Sequence, residues 1–298
     1  MAGEWSLVAF TITGQLAVGI YAFIGGPLFL GAATPGIAGG GARLAVVLAV
    51  LGCLAVATGL SLFHLHHPFR AYKIFSNLGT SWLSREIFFE LLFFGIAGLL
   101  GLREWRGAGG AAFAKALFVL GGLAGGLFIL AMSRLYMLPA IEPWNHAYTP
   151  LSFCLTSFVL GALASAVFFS LSAERPDAYR VLPAVSLVTV LACLVNAALL
   201  SPGWGILGVK AGPSLRLPGV GTSRLHAARI SGLSGAAVLL AAGMAAGEGR
   251  LLGIAVRPVL LLTAFLLAAA GEISGRFLFY GLSGRRACES SLIGVGPQ

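Results

Sequence analysis

The sequence predicts an all-α integral membrane protein, a bundle of about eight transmembrane helices with both termini on the same side. Three observations carry that prediction. Of the 298 residues, 58% are hydrophobic and only 10% are charged, against about 25% charged in an average soluble domain. Apolar runs of roughly 20 residues, the length a helix needs to cross a hydrocarbon core of about 30 Å, follow one another along nearly the whole chain. Glycine, proline and short basic connections separate the runs and leave no stretch for a soluble domain, so residues 1–298 read as a single polytopic membrane domain.

The runs place spans at residues 5–32, 43–64, 84–102, 113–138, 148–171, 178–200, 225–246 and 251–281. The first begins in MAGEWSLVAF, which lacks the basic region and cleavage site of a removable signal peptide, and is read as a retained anchor. AATPGIAGGGA follows it as a flexible turn. REWRGAGG parts the third span from the fourth, because its charges do not belong in hydrocarbon. The fourth contains GGLAGG, two overlapping GxxxG pairs (Gly121 with Gly125, Gly122 with Gly126) that allow close helix packing. Residues 201–223 hold too many Pro and Gly for a span and are expected outside the membrane or at its surface. No internal repeat suggests an inverted-repeat transporter.

The net charge of +9 reflects few acids, 10 beside 19 Lys and Arg. The basic residues are scattered among short loops, which fits anionic lipid or an acidic partner surface rather than nucleic acid. Cys53, Cys154, Cys193 and Cys288 form no CxxC, so neither an iron–sulfur nor a zinc site is expected in this protein. No Walker loop, HExxH, GxSxG or dinucleotide fingerprint occurs in a suitable context.

Loop parity assigns all five histidines, His64, His66, His67, His146 and His226, to the face that carries the termini, together with Arg134, Tyr136, Trp144 and Arg276. The opposite face receives basic residues and no histidine. Its 8 Lys and Arg against 11 on the histidine face weakly put the histidine face inside.

The connection SLFHLHHPFRAYKIFSNLGTSWLSREIFFE, residues 61–90, concentrates the titratable groups. His64 ends the second span before Pro68, where an imidazole can exchange a proton and hydrogen-bond a quinone or quinol oxygen. Glu86 and Glu90 lie one helical turn apart at the start of the third span. Acids there are favoured by the helix dipole, yet acids inside a span usually line a cavity or proton path. The short connection lets His64 and Glu86 converge. On the last span, Glu272 and Arg276 are four residues apart and suit an intramembrane ion pair, either a structural clamp or a pocket wall. Arg134, Tyr136, Trp144 and His146 read as an interfacial aromatic and basic band. A haem would need His64 and His226 as axial ligands, the one pairing across different spans.

With GQLAVGIYAF, HLHHPFRAYKIFSNLGTSWLSREI, SRLYMLPAIEPWNHAYTPLSFCLTSFVLG and GEISGRFLFYGL in this order, the protein resembles the membrane-anchor (C) subunit family of dimethyl sulfoxide reductase and related molybdoenzyme complexes. The resemblance implies a multi-pass anchor in a prokaryotic cytoplasmic (inner) membrane. That anchor would bind menaquinol and hold a molybdopterin catalytic subunit and a ferredoxin-like subunit carrying 4Fe-4S clusters, with no haem or cluster of its own. The positions matching His64 and Glu86 are associated with menaquinol in that family; Arg70, Arg134, Tyr136, Glu272 and Arg276 match recurring positions. The resemblance also implies a periplasmic N-terminus. HHPFR departs from relatives that have small residues before the proline. Electron flow from menaquinol toward an acceptor such as dimethyl sulfoxide is the expectation; the reverse direction, from a donor such as sulfite or formate to quinone, and a membrane transporter are the competing readings.

Overall fold

A computed structural model describes residues 2–30, 40–62, 76–139, 144–171, 182–199, 216–217, 220–246, 250–251 and 254–281. The first rod is α1 (Ala2–Ile20), a single π-helical turn (Tyr21–Gly25) and α2 (Gly26–Phe29). It is followed by α3 (Gly40–Leu62), α4 (Trp82–Arg106), α5 (Ala111–Leu135), α6 (Tyr148–Leu171), α7 (Leu182–Leu199), α8 (Thr222–Ala245) and α9 (Val256–Gly281). Among the described residues, eight rods therefore stand where eight spans were expected. Two antiparallel ladders of two-residue strands, Arg216–Leu217 with Val220–Gly221 and Arg250–Leu251 with Ile254–Ala255, precede α8 and α9.

Six of the rods are long and apolar enough to cross a membrane by themselves. In α7 the apolar part is shorter, Ala184–Ala198, and α4 carries Arg85, Glu86, Glu90, Arg103, Glu104 and Arg106. The helix α4 is nonetheless 25 residues long, about 37 Å at 1.5 Å per residue, and reaches past a hydrocarbon core. Its ends, Trp82 and Arg106, extend the expected limits of 84–102 by two and four residues. Ser81, in extended conformation, caps the start by accepting a hydrogen bond from the Ser84 N–H at 3.3 Å. The last turn takes in Arg103–Arg106, because Arg103 pairs with Glu104 and donates to the Gly109 carbonyl. The helix stops at Gly107, whose φ of 61° suits the left-handed cap.

The rods α1 and α6 form the centre, with α3, α5, α7 and α9 packed around them and α8 against α7 and α9. Glycine sets the closest crossing. A Cβ on Gly19 would stand 2.8 Å from the Gly161 Cα, and one on Gly161 would stand 2.5 Å from the Gly19 Cα, so the two backbones touch. Only one stripe of GGLAGG is used in this way. Gly121 makes room for the Tyr21 ring and Gly125 for Val18 and Phe93, whereas Gly126 faces open space. The Tyr21 hydroxyl donates to the carbonyls of Phe118 at 3.0 Å and Leu117 at 3.3 Å. The widened turn that follows gives the Phe23 carbonyl to the Ser165 hydroxyl, at 3.0 Å.

Outward positions are apolar at helical spacing, with Leu120, Leu123, Leu127 and Leu130 exposed on α5 and Val188, Leu191 and Val195 on α7. Large apolar side chains in such rows face lipid. The start of α1 meets the end of α9, where the Trp5 and Phe277 rings lie 4.3 Å apart, so the two ends of the bundle sequence share one side. Tyr136, Trp144 and the first turns of α4 and α6 belong to that same end. Of the cysteines, Cys53 and Cys154 are half-buried and Cys193 is buried, all as free thiols, and Cys288 lies outside the described residues.

Candidate functional site

The buried edge of α4 is set by its spacing. Glu86, Glu90, Phe93, Ala97, Leu100 and Glu104 recur every three or four residues and point into the bundle. Glu86 is 2% exposed, and its Oε1 has no hydrogen-bond partner among the described residues. Glu90, equally buried, accepts a hydrogen bond from the Thr58 hydroxyl of α3 at 2.8 Å. Arg85 turns away from both acids. It donates to the Leu78 and Gly79 carbonyls, and its guanidinium lies 4.3 Å from the Trp82 ring.

Beside Glu86 stands an aromatic wall. The Tyr136 ring is surrounded by Trp144, Phe153, Phe279 and Tyr280, with centroids 5.3–5.7 Å away. Glu86 lies within electrostatic reach of both Tyr136 and Tyr280. The Trp144 indole N–H donates to the Phe279 carbonyl at 2.8 Å, which ties the segment before α6 to the end of α9. The residues of the expected interfacial band divide here. Tyr136 and Trp144 are interior residues, because their rings fill the gap between α5, α6 and α9, while Arg134 and His146 are exposed.

The wall continues into a buried polar layer. Arg276 donates through Nη2 to Gln15 Oε1 at 3.0 Å and to Thr156 Oγ1 at 3.4 Å, and its guanidinium carbon lies 3.6 Å from the Phe153 ring centroid. Glu272 accepts from Thr156 at 2.6 Å and forms its ion pair with Arg229 of α8 at 3.3 Å. The expected Glu272–Arg276 pair is therefore replaced. One turn of α9 separates the two side chains, but Arg276 swings toward α1 and α6 while Glu272 meets α8. Gly275 allows the exchange, since a Cβ there would lie 2.7 Å from Arg229 Nε.

The sequence-derived site residues thus divide. Glu86, Tyr136, Glu272 and Arg276 line one interior region, Arg134 lies outside it, and His64 and Arg70 fall outside the described residues. Gln15, Thr156, Arg229 and Tyr280 join the region without having been singled out. Gln15 and Arg229 had a usable signal, since each is a strongly polar residue within an apolar run. Thr156 and Tyr280 had none, because hydroxyls occur throughout these helices. The region offers one buried acid with a free oxygen, phenol donors and two guanidinium groups, a set suited to a small polar ligand that exchanges protons.

Comparison with known proteins covers the bundle from its first helix to its last. The family model described as DMSO reductase anchor subunit (DmsC) matches residues 1–282. The C subunit of the anaerobic dimethyl sulfoxide reductase of Escherichia coli is 30% identical over 290 residues, covering 94% of each protein. The Haemophilus influenzae subunit of the same name is 30% identical over 266 residues, covering 84% of this sequence and 93% of the relative. The YnfH subunit of an Escherichia coli anaerobic dimethyl sulfoxide reductase is 30% identical over 288 residues, with 94% of each covered. An eight-rod membrane bundle, matched from the first helix to the last, makes this protein a member of the DMSO reductase anchor subunit (DmsC) family.

Proposed function

We propose that the protein is the quinol-oxidising anchor of a molybdoenzyme complex in a bacterial cytoplasmic membrane. Menaquinol binds beside Glu86 and His64, and a ferredoxin-like subunit receives the electrons. The observation that carries this reading is Glu86 itself, an acid with almost no exposure and an oxygen left without a partner among the described residues. A buried acceptor in that condition is expensive unless a ligand completes it. A quinol hydroxyl is a fitting complement, because it donates one hydrogen bond and gives up its proton on oxidation.

In this scheme Glu86 Oε1 accepts the quinol O–H and takes its proton as the electrons leave. The Tyr136 phenol, its ring held on four sides, stands within electrostatic reach of Glu86, and Arg276 keeps that aromatic cluster rigid through Phe153, Gln15 and Thr156. The partner's iron–sulfur clusters supply the electron acceptor. A molybdopterin subunit beyond them reduces a terminal acceptor such as dimethyl sulfoxide.

The test uses membranes that contain the assembled complex. Glu86→Gln is expected to lower quinol-driven reduction about 100-fold or more, the usual scale for a lost proton acceptor, and His64→Ala to lower it through a lost quinol contact, while reduced-dye activity of the attached subunits persists. Unchanged quinol turnover in both variants refutes the scheme.

A further inference from the structure

The reaction proposed above removes two protons from one quinol; His64 holds the quinol, and Glu86, the acceptor in that scheme, is one carboxylate. We infer that Glu90, clasped by Thr58, is the relay residue that empties Glu86 between the two deprotonations; this rests on quinol oxidation at Glu86. The geometry carries it. Both acids point into the bundle one turn apart on α4, each 2% exposed, and each lies in the other's electrostatic reach. Among the described residues neither has a salt-bridge partner.

Thr58 provides the second observation. Its hydroxyl stands 2.8 Å from Glu90 Oε1 and 2.9 Å from the Leu54 carbonyl, yet it has a single proton to give. When Glu90 is a carboxylate, the hydroxyl donates to it. When Glu90 carries a proton, the hydroxyl turns to Leu54 and its oxygen accepts from the Glu90 O–H. Each charge state of Glu90 therefore keeps a satisfied hydrogen bond without movement of a helix, as a relay requires.

Among the described residues, the cations of the helices around the pair are exposed or engaged elsewhere. From the packed helices, Arg43 of α3 donates to the Leu28 carbonyl, Lys115 and Arg134 of α5 are exposed, and Cys53 is a thiol. Tyr136 and Tyr280 stand at the Glu86 end and Tyr21 at the other. On α4, Arg85 is engaged by carbonyls, and Arg103 pairs with Glu104 near the opposite end. In the first step a quinol O–H bond breaks and its proton goes to Glu86, and Glu86 passes that proton to the Glu90 carboxylate. The second O–H then delivers to the vacated Glu86, while two electrons pass to the partner's iron–sulfur acceptor and quinone remains.

The decisive measurement is steady-state oxidation of a soluble menaquinol analogue by membranes holding the whole complex, recorded against pH, with reduced-dye turnover as the assembly control. Glu90→Gln is expected to lower kcat about 10-fold or more, to leave KM within about twofold, and to change the pH profile. Glu90→Asp, which keeps an acid, recovers most of kcat, and Thr58→Val gives a loss of about 3- to 10-fold, the scale of one hydrogen bond. Wild-type kcat with an unchanged profile in Glu90→Gln overturns the inference. So does an equal loss in the Gln and Asp variants with a raised KM, which marks a packing role. If Glu90→Gln fails to assemble, Thr58→Val decides: full kcat with an unchanged profile overturns the relay. Full activity in both Glu86→Gln and His64→Ala instead removes the quinol reading itself, whatever Glu90 does; full activity in Glu86→Gln alone overturns the relay.

Discussion

Replacing Arg229 by Met tests the polar layer where sequence spacing and tertiary structure disagree. Methionine retains much of the packing volume and removes the cation. Glu272, 2% exposed, then keeps Thr156 as its hydrogen-bond donor and loses its ion-pair partner. Deleting one member of a buried pair costs about 3–5 kcal/mol. The Arg229 Nη2–Glu272 Oε1 separation of 3.3 Å is long for a charge-assisted bond, which favours the lower end, about 3 kcal/mol. With an unfolding entropy of about 2.1 cal/mol/K per residue, over 298 residues that corresponds to a fall of about 5 °C in Tm. The assay is thermal unfolding of the purified complex in detergent, carried through a double-mutant cycle with Glu272→Met. Removing both charges is expected to restore most of the loss, because an apolar pair leaves no stranded carboxylate. A parallel cycle of Arg276→Met with Glu272→Met is expected to couple more weakly, since Arg276 binds Gln15 and Thr156. Stronger coupling of Glu272 to Arg276 than to Arg229, or additive losses in the first cycle, refutes the assigned pairing.

Other outcomes follow from the same packing. Gly161→Leu pushes a side chain into the Gly19 backbone and is expected to cost more than about 3 kcal/mol, at the upper end for overpacking, read as loss of folded protein in membranes. Gly126→Ala meets nothing within 4 Å, so its stability change should stay within about 0.5 kcal/mol, and a large loss there contradicts the helix rotation given for α5. Tyr21→Phe deletes the hydroxyl shared by the Leu117 and Phe118 carbonyls and should lower stability by about 1 kcal/mol. Ser81→Ala removes the cap of α4, at a cost of about 1 kcal/mol, and local hydrogen exchange at 82–86 should rise with it.

The number and order of the rods were legible in the sequence because the bilayer imposes a length and an apolar composition on each crossing. The same constraint made charge conspicuous, so Glu86, Glu90, Glu272 and Arg276 stood out before any contact was known. The ends of α4 were less legible, since a helix that leaves hydrocarbon continues until a local signal stops it. Those signals were one serine hydroxyl and one left-handed glycine.

Which side chains meet was decided by the tertiary structure alone. Spacing along α9 permits Glu272 to meet Arg276, but partners on other helices win, because Gln15, Thr156 and Arg229 reach them from α1, α6 and α8. The same holds for GGLAGG, whose two stripes are equivalent in sequence while only the one turned toward Tyr21 and Phe93 is used. A one-dimensional pattern states what each helix must bury or pair. Helix rotation and the backbone contact at Gly19 and Gly161 determine with whom.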